Sequence, residues 1–147
     1  MQGARVVMGG CFDGADLREA NLCRACLRET TFTSADLTEV QADGADLSGA
    51  TLRDARLGRA VARGVRLAKA DLGGADLRGA NLMDALLPGA RLSGAALEDT
   101  HLFRADLLGV RVDGNTRIAR AHLEEARVVR PVNEGARLVH PSKEPPR

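Results

Sequence analysis

Large aromatic side chains are almost absent from this sequence. Its 147 residues include three Phe and neither Tyr nor Trp. Ordinary globular cores of this size obtain much of their buried area from large rings. The core is therefore predicted to consist of small and medium aliphatic side chains. At this length we expect a single domain.

Net charge, long apolar runs and a paired set of cysteines are also missing. The 21 basic and 20 acidic residues leave a net charge of +1, which gives no overall field to attract nucleic acid or an anionic membrane. No segment approaches the roughly 18 apolar residues that span a bilayer, and residues 1–10 lack the apolar run of a secretory signal. The cysteines are odd in number, which argues against a disulfide framework. We expect a cytoplasmic protein with neither a nucleic-acid nor a membrane partner.

What the sequence does contain is an apolar residue at every fifth position. The 22 consecutive centres from Val7 to Val112 are all apolar, 16 of them are Leu, and the position two residues earlier is Ala in 15 cases. A period of five keeps to no single face of a helix and alternates between the faces of a plain strand. If Ala-x-Leu is a short extended piece and the next two residues turn the chain, every Ala and Leu points inward. The period therefore predicts a stacked coil whose successive turns pair as parallel strands about 4.8 Å apart.

The repeated units resemble those of a known family. ADLRE, ANLCR, ADLTE, ADLSG, ADLRG and ANLMD, within Arg5 to Asp113, are similar to the A-(D/N)-L-x-x unit of the pentapeptide repeat family. The resemblance implies an all-β fold, a right-handed parallel quadrilateral β-helix with 20 residues per coil, and hence about five and a half regular coils. Residues 20 apart then stack, and we expect one core stack made of Phe12, Phe32, Leu52, Leu72 and Leu92.

The pattern shifts after Asp113. One extra residue interrupts it, and the period resumes with Ala121 and Leu123. An amphipathic helix over 118–129 is the alternative, but its apolar stripe is poor, so a continued, less regular coil is favoured. The predicted limits are a repeat domain over 1–139, regular over about 5–113 and in shifted register over about 116–139, followed by a disordered tail over 140–147.

No pattern of residues in the chain is typical of catalysis. Cys23 and Cys26 form a C-x-x-C pair, but a structural zinc site needs four ligands and only Cys11 remains. The three histidines are scattered, and neither a phosphate-binding loop nor a nucleophile elbow is present. A solid core would also leave no cavity for a substrate. We predict no enzyme activity, no catalytic residues, no metal, no cofactor and no small-molecule substrate.

Charge is unevenly distributed along the chain. Residues 11–50 carry three basic and eight acidic groups, a net of −5, whereas residues 51–70 carry six basic groups and one acidic group, a net of +5. The basic belt consists of Arg53, Arg56, Arg59, Arg63, Arg66 and Lys69. With a 20-residue coil, Arg56 would stack between Asp36 and Asp76. An alternative interpretation of the belt is therefore that its basic side chains neutralise acidic side chains of the adjacent coils.

A few outward positions are apolar, and they cluster in the C-terminal half. We expect them to form one patch that wraps a corner of the coil, and a contiguous apolar patch often marks an interface. This candidate interface, for a homodimer or another protein partner, consists of Met83, Leu86, Pro88, Phe103 and Leu108.

The architecture therefore predicts a non-enzymatic scaffold that binds an unidentified protein through its surface. The resemblance implies an alternative, because some members of the family protect DNA gyrase or topoisomerase IV from inhibitors and are described as DNA mimics with an acidic face. Here Arg56 and Arg59 interrupt that acidic face, which disfavours the alternative. A third interpretation is a repeat domain of a larger effector or sensor.

Overall fold

The computed structural model describes residues 9–128, which form about six stacked coils. Each five-residue unit has a single residue in a parallel β-bridge and a two-residue turn, and residues 9–128 contain no helix. The bridges pair residues 20 apart, from Cys11 with Thr31 to Arg91 with Arg111. Four such units complete one coil, so the coil is four-sided.

The four sides are numbered here by the stacked apolar residues that they turn inward. Side 1 carries Phe12, Phe32, Leu52, Leu72 and Leu92; side 2, Leu17, Leu37, Leu57, Leu77 and Leu97; side 3, Leu22, Ala42, Ala62, Leu82 and Leu102; side 4, Leu27, Leu47, Leu67, Leu87 and Leu107. On every side the Ala, Val or Thr two positions earlier also points inward, and from Ala25 onward almost all of these residues are buried. The core is thus the aliphatic interior that the shortage of rings predicted.

Backbone hydrogen bonds run along the axis of the coil and hold each turn to the next. For example, the Leu52 N–H donates to the Asp71 carbonyl at 2.7 Å and the Asp71 N–H donates to the Ala50 carbonyl at 2.9 Å. This pattern repeats at every side, so the backbone groups beside the core are paired without forming a flat sheet. Since each coil is fixed to both neighbours, the sides have little freedom to move inward.

The corners explain how a two-residue turn can redirect the chain by one side. In each turn the N–H of the fourth residue bonds to the carbonyl of the first, as Ala55 N does to Leu52 O at 3.2 Å. The third residue has a positive φ in these turns, as is typical of type II turns, except in the turn at Gly114 and Asn115. Glycine occupies that place in Gly44 (φ 66°), but Glu39 (φ 58°) and other non-glycine residues adopt it as well.

The register changes at a single six-residue corner. Beyond it the bridges join residues 21 apart, as in Ala96 with Arg117 and Asp106 with Arg127. The Asp113 carboxylate accepts the Gly94 N–H at 2.9 Å. At the equivalent corners of the other coils, the corresponding N–H donates to a backbone carbonyl of the next coil. The Thr116 hydroxyl donates to the Leu92 carbonyl at 2.8 Å. These side chains replace the contacts that the extra residue displaces.

The four-sided all-β solenoid implied by the family resemblance is confirmed, and the chain continues as coil up to residue 128 without the alternative helix. Within the expected core stack, Phe32, Leu52, Leu72 and Leu92 are at most 1% exposed, whereas Phe12 is half-buried and its ring stacks on Phe32 at 5.3 Å. The predictions for residues 1–8 and 129–147, including the disordered tail, lie outside the described residues.

Candidate functional surface

Three residues of each unit point outward, one on the flat side and two at the corner. The outward residue on the side is often Asp or Asn, and its carboxylate or amide oxygen accepts the N–H of the residue two positions later. Asp71 does so with the Gly73 N–H at 3.0 Å. The same bond, at 3.0 to 3.2 Å, is made by Asp16, Asn21, Asp36, Asp46, Asp76, Asn81 and Asp106. Sequence reasoning recorded the Asp/Asn preference but missed this turn-capping role, which the short side chain explains.

The residues considered for metal binding do not come together. Cys23 lies at a corner and Cys26 on the next side, while Cys11 lies on side 1, and all three are free thiols. His101 and His122 form a bridge pair on side 3 with their rings stacked at 4.7 Å. Over residues 9–128 no group of three or more Cys, His, Asp or Glu side chains could hold a metal ion.

Four members of the basic belt are paired with acids of adjacent coils. Arg53 lies 3.4 Å from Asp71, and Arg63 lies 2.6 Å from Asp43, which also accepts the Arg63 N–H at 2.8 Å. The Arg63 hydrogen bonds lower the pKa of Asp43. Such exposed pairs contribute little stability each, about 0–1 kcal/mol, but they remove much of the field that the local charge count suggests.

The same neutralisation acts on the two belt residues that break the acidic side. Arg56 lies 3.9 Å from Asp36, and Arg59 forms an ion pair with Glu39. In the backbone, Arg56 forms a β-bridge with Asp76 of the next coil. Side 2 therefore presents alternating, paired charges in place of a continuous acidic column.

The candidate interface extends from the corner between sides 3 and 4, across side 4, to the corner between sides 4 and 1. Met83 and Phe103 lie at the corner between sides 3 and 4, and Pro88 and Leu108 lie at the corner between sides 4 and 1. Leu86 lies on side 4 between them and is 41% exposed. Among residues 9–128 it is the one large apolar side chain that is strongly exposed.

Charged groups cover part of the first corner. The Arg104 guanidinium lies 5.1 Å from the centre of the Phe103 ring. Arg104 is held there by Asp84, with Nε 2.7 Å from the carboxylate. Leu86 is therefore the most exposed of the five residues, and Pro88 and Leu108, half-buried like Met83 and Phe103, adjoin it at the corner between sides 4 and 1.

Neither of two cavities formed by residues 9–128 has the form of a substrate site. The interior holds a small apolar gap of about 20 Å³ whose lining comes from all four sides and includes Ala42 and Ala62, where side 3 has Ala in place of Leu. An open surface groove of about 390 Å³ is lined by Asp16, Arg18, Asp36, Asp54 and Arg56, and its Arg18 and Arg56 already pair with Asp16 and Asp36. No helix among the described residues could cross a membrane.

Comparisons with known proteins agree with this architecture. The pentapeptide repeat profile matches eight copies in the chain, over residues 15–54, 45–82 and 80–114. Two trypsin-treated forms of QnrB1, described as a plasmid-mediated fluoroquinolone resistance protein, superpose with TM-scores of 0.56 and 0.54 at 15% and 16% identity. The alignments cover 85% and 80% of this chain and 82% and 74% of QnrB1.

A further solved structure is the pentapeptide repeat protein Rfr23 from the cyanobacterium Cyanothece 51142. It is 27% identical over 75% of this chain and 88% of its own, with a TM-score of 0.36. No curated protein sequence matches the chain. The two QnrB1 structures, at 15% and 16% identity, show the fold alone, whereas the profile covers more than half of the chain. The chain therefore belongs to the pentapeptide repeat family, whose solved members are right-handed β-helices.

Proposed function

We propose that this protein is a non-enzymatic interaction module, a rigid scaffold whose outer surface binds another protein. The carrying observation is that the interior is filled by stacked aliphatic side chains while every unit displays three outward residues. A substrate pocket usually occupies at least about 300 Å³ and is largely enclosed, and the interior gap is far smaller. Chemistry on this fold is thus confined to its surface.

The candidate interface is the part of that surface that we propose for contact. Leu86, Pro88 and Leu108 are outward apolar side chains on adjacent coils, tied by the 2.8 Å bond from Gly89 N to Leu108 O. Clustered outward apolar groups of this kind favour a binding site over isolated surface variation.

The proposed role is tested by a pull-down from the source cell with the folded chain as bait. The Leu86→Glu/Leu108→Glu variant provides the matched bait. We expect one or more proteins to be retained by the parent and lost by the variant, with unchanged far-UV circular dichroism. If parent and variant retain the same proteins, the apolar surface is not the contact site. Light scattering on both determines whether the partner is a second copy of the chain.

Protection of a DNA topoisomerase is the second candidate function. The observation in its favour is the acidic surplus of residues 11–50, a net of −5. Against it, the ion pairs of Arg56 with Asp36 and of Arg59 with Glu39 break the acidic column on side 2. We expect no protection of gyrase from a quinolone in a supercoiling assay. Restored supercoiling would replace the general scaffold role with this one.

A further inference from the structure

Unpaired cations are concentrated at one corner of the solenoid. Over residues 9–128, ten arginines have an Asp or Glu oxygen within 4.0 Å. Six Arg or Lys side chains in that range have none, and four of them surround the C-terminal part of the corner between sides 4 and 1. The four are Arg66, Lys69, Arg91 and Arg111; of the other two, Arg28 lies at the same corner three coils below Pro88, and Arg24 lies at the corner between sides 3 and 4.

This 4–1 corner is built from corresponding residues of three adjacent coils. Arg66, Leu86 and Asp106 follow one another in the bridge column of side 4. Asp71, Arg91 and Arg111 do so on side 1. Between the two columns the corner itself carries Ala68 and Lys69, then Pro88 and Gly89, then Leu108 and Gly109.

The two arginines on side 1 have no anion between them. Arg91 and Arg111 are direct bridge neighbours, and both are exposed. The acid nearest to them in the column is Asp71, which is already engaged by Arg53 at 3.4 Å and by the Gly73 N–H at 3.0 Å. Like charges directly opposite each other on neighbouring strands are destabilising. A bound carboxylate would relieve this repulsion with the charge-assisted bonds that guanidinium groups make best.

Bare backbone connects the arginine pair to the apolar residues. Gly89 and Gly109 have φ values of 69° and 67°, and the Gly89 N–H donates to the Leu108 carbonyl. Without side chains at these positions, another polypeptide can approach the corner closely. The corner therefore offers an apolar surface at Pro88 and Leu108 beside two cations on the adjoining side.

The acid on the apolar side is also occupied. The Asp106 carboxylate accepts the Leu108 N–H at 3.1 Å and lies 3.6 Å from the Arg127 guanidinium. Its negative charge is thus balanced within the chain. The charges left for a partner at this corner are positive.

We propose that the 4–1 corner binds an acidic segment of a partner protein that also carries an apolar side chain. Carboxylates of the segment would lie against Arg91 and Arg111, and its apolar group against Leu86, Pro88 and Leu108. The inference rests on the proposed interaction role and adds the chemistry of the partner to it.

Two other occupants fit the corner less well. A second copy docked on this corner by a two-fold axis would bring the unpaired cations of both copies into one interface, at an electrostatic cost. Nucleic acid needs a track of phosphate contacts, and here Leu86, Pro88 and Leu108 interrupt the cations. An acidic protein segment satisfies both halves of the surface.

The probe for this proposal is a fluorescein-labelled peptide of glutamate and leucine, titrated with the folded chain and followed by fluorescence anisotropy. We expect binding that weakens with salt. Arg91→Glu/Arg111→Glu should lower the affinity by about tenfold or more, the loss of two charge-assisted contacts. The matched control is Arg24→Glu/Arg28→Glu, the same change in two arginines that also have no Asp or Glu oxygen within 4.0 Å but lie about three coils below the proposed site; this variant should alter the affinity by less than about twofold.

A third variant separates the apolar part of the site from the charged part. Leu86→Ser/Leu108→Ser should weaken binding of the glutamate–leucine peptide and leave the weaker binding of polyglutamate unchanged. The proposal is overturned if the peptide does not bind, if both arginine pairs matter equally, or if duplex DNA or phosphatidylserine vesicles bind as tightly through the same arginines.

Failure of the inference is distinguishable from failure of the proposed function. If a cellular protein is retained by the parent chain and equally by the Arg91→Glu/Arg111→Glu variant, the scaffold role stands and the corner is not its site. If the chain retains no protein at all while the peptide binds as expected, the corner recognises acidic segments and the scaffold role fails.

Discussion

Replacing Leu72 by Ala tests the stacked core most directly. Leu72 is 1% exposed, and its strand residue Asp71 is bridged to Thr51 below and Arg91 above. Leu→Ala substitutions in cores destabilise by about 2–5 kcal/mol, and the cost is highest where the surroundings cannot collapse into the cavity. Because each side is fixed by hydrogen bonds to two neighbouring coils, we expect the upper part of that range, about 3–5 kcal/mol.

Urea unfolding followed by far-UV circular dichroism is the suitable assay, since the chain has no Tyr or Trp to report by fluorescence. With an m-value of about 2 kcal/mol/M, the midpoint should fall by roughly 1.5–2.5 M. The control is Leu86→Ala, the same chemical change at a leucine that is 41% exposed, for which a loss below about 1 kcal/mol is expected. Equal losses for the two variants would refute the stacked-core assignment.

Three further predictions concern acid, the interior gap and the register shift. The Arg18 hydrogen bonds lower the pKa of Asp16 to about 2, and those of Arg63 lower the pKa of Asp43, from the ordinary 3.8. Their contribution to the free energy of unfolding is therefore complete above pH 3.8 and is lost as the pH falls through the lowered pKa values. The urea concentration at the unfolding midpoint should accordingly decrease once the pH is below about 4, and this decrease should be smaller for Asp43→Asn. Ala62→Val should fill part of the apolar gap and raise the unfolding free energy by up to about 1 kcal/mol; a lower midpoint would contradict a gap at this place. Asp113→Ala should speed amide hydrogen exchange at Gly94, whose N–H the carboxylate accepts, whereas Asp113→Asn, which keeps an acceptor, should preserve much of the protection.

The fold was predictable because one period controls every inward position. The repeat assigns Leu72 and Ala70 to the interior and Asp71 to the surface, and the structure places them so. The spacing of 20 also predicts charge pairs between coils, such as Asp36 with Arg56. The inward and outward positions follow from the five-residue period alone, whereas the 20-residue coil that sets the pairing between coils is implied by the family resemblance.

The surface was harder to predict because it depends on details that the period does not contain. Phe103 is partly covered by Arg104 because Asp84 of the coil below holds that guanidinium in place. Arg53 forms an ion pair only because its side chain reaches diagonally to Asp71 of the next coil. Asp71 lies 18 residues later in the sequence, whereas directly stacked residues are 20 apart. Rotamers and diagonal contacts thus decide which groups remain available, and the repeat leaves both open.

The basic belt and the 4–1 corner show why charge should be counted after pairing in a solenoid. By sequence, residues 51–70 are the most basic segment, yet Arg53, Arg56, Arg59 and Arg63 all meet an acid on an adjacent coil. Residues 71–113 have a net charge of −3, yet Arg91 and Arg111 remain unpaired there. Axial stacking brings each charge beside residues 20 positions away, and short-range pairs cancel most of the field before it reaches a partner. A binding surface on this fold is therefore expected where pairing fails, and that criterion selects the 4–1 corner, which includes the belt residues Arg66 and Lys69, over the four paired arginines of the belt.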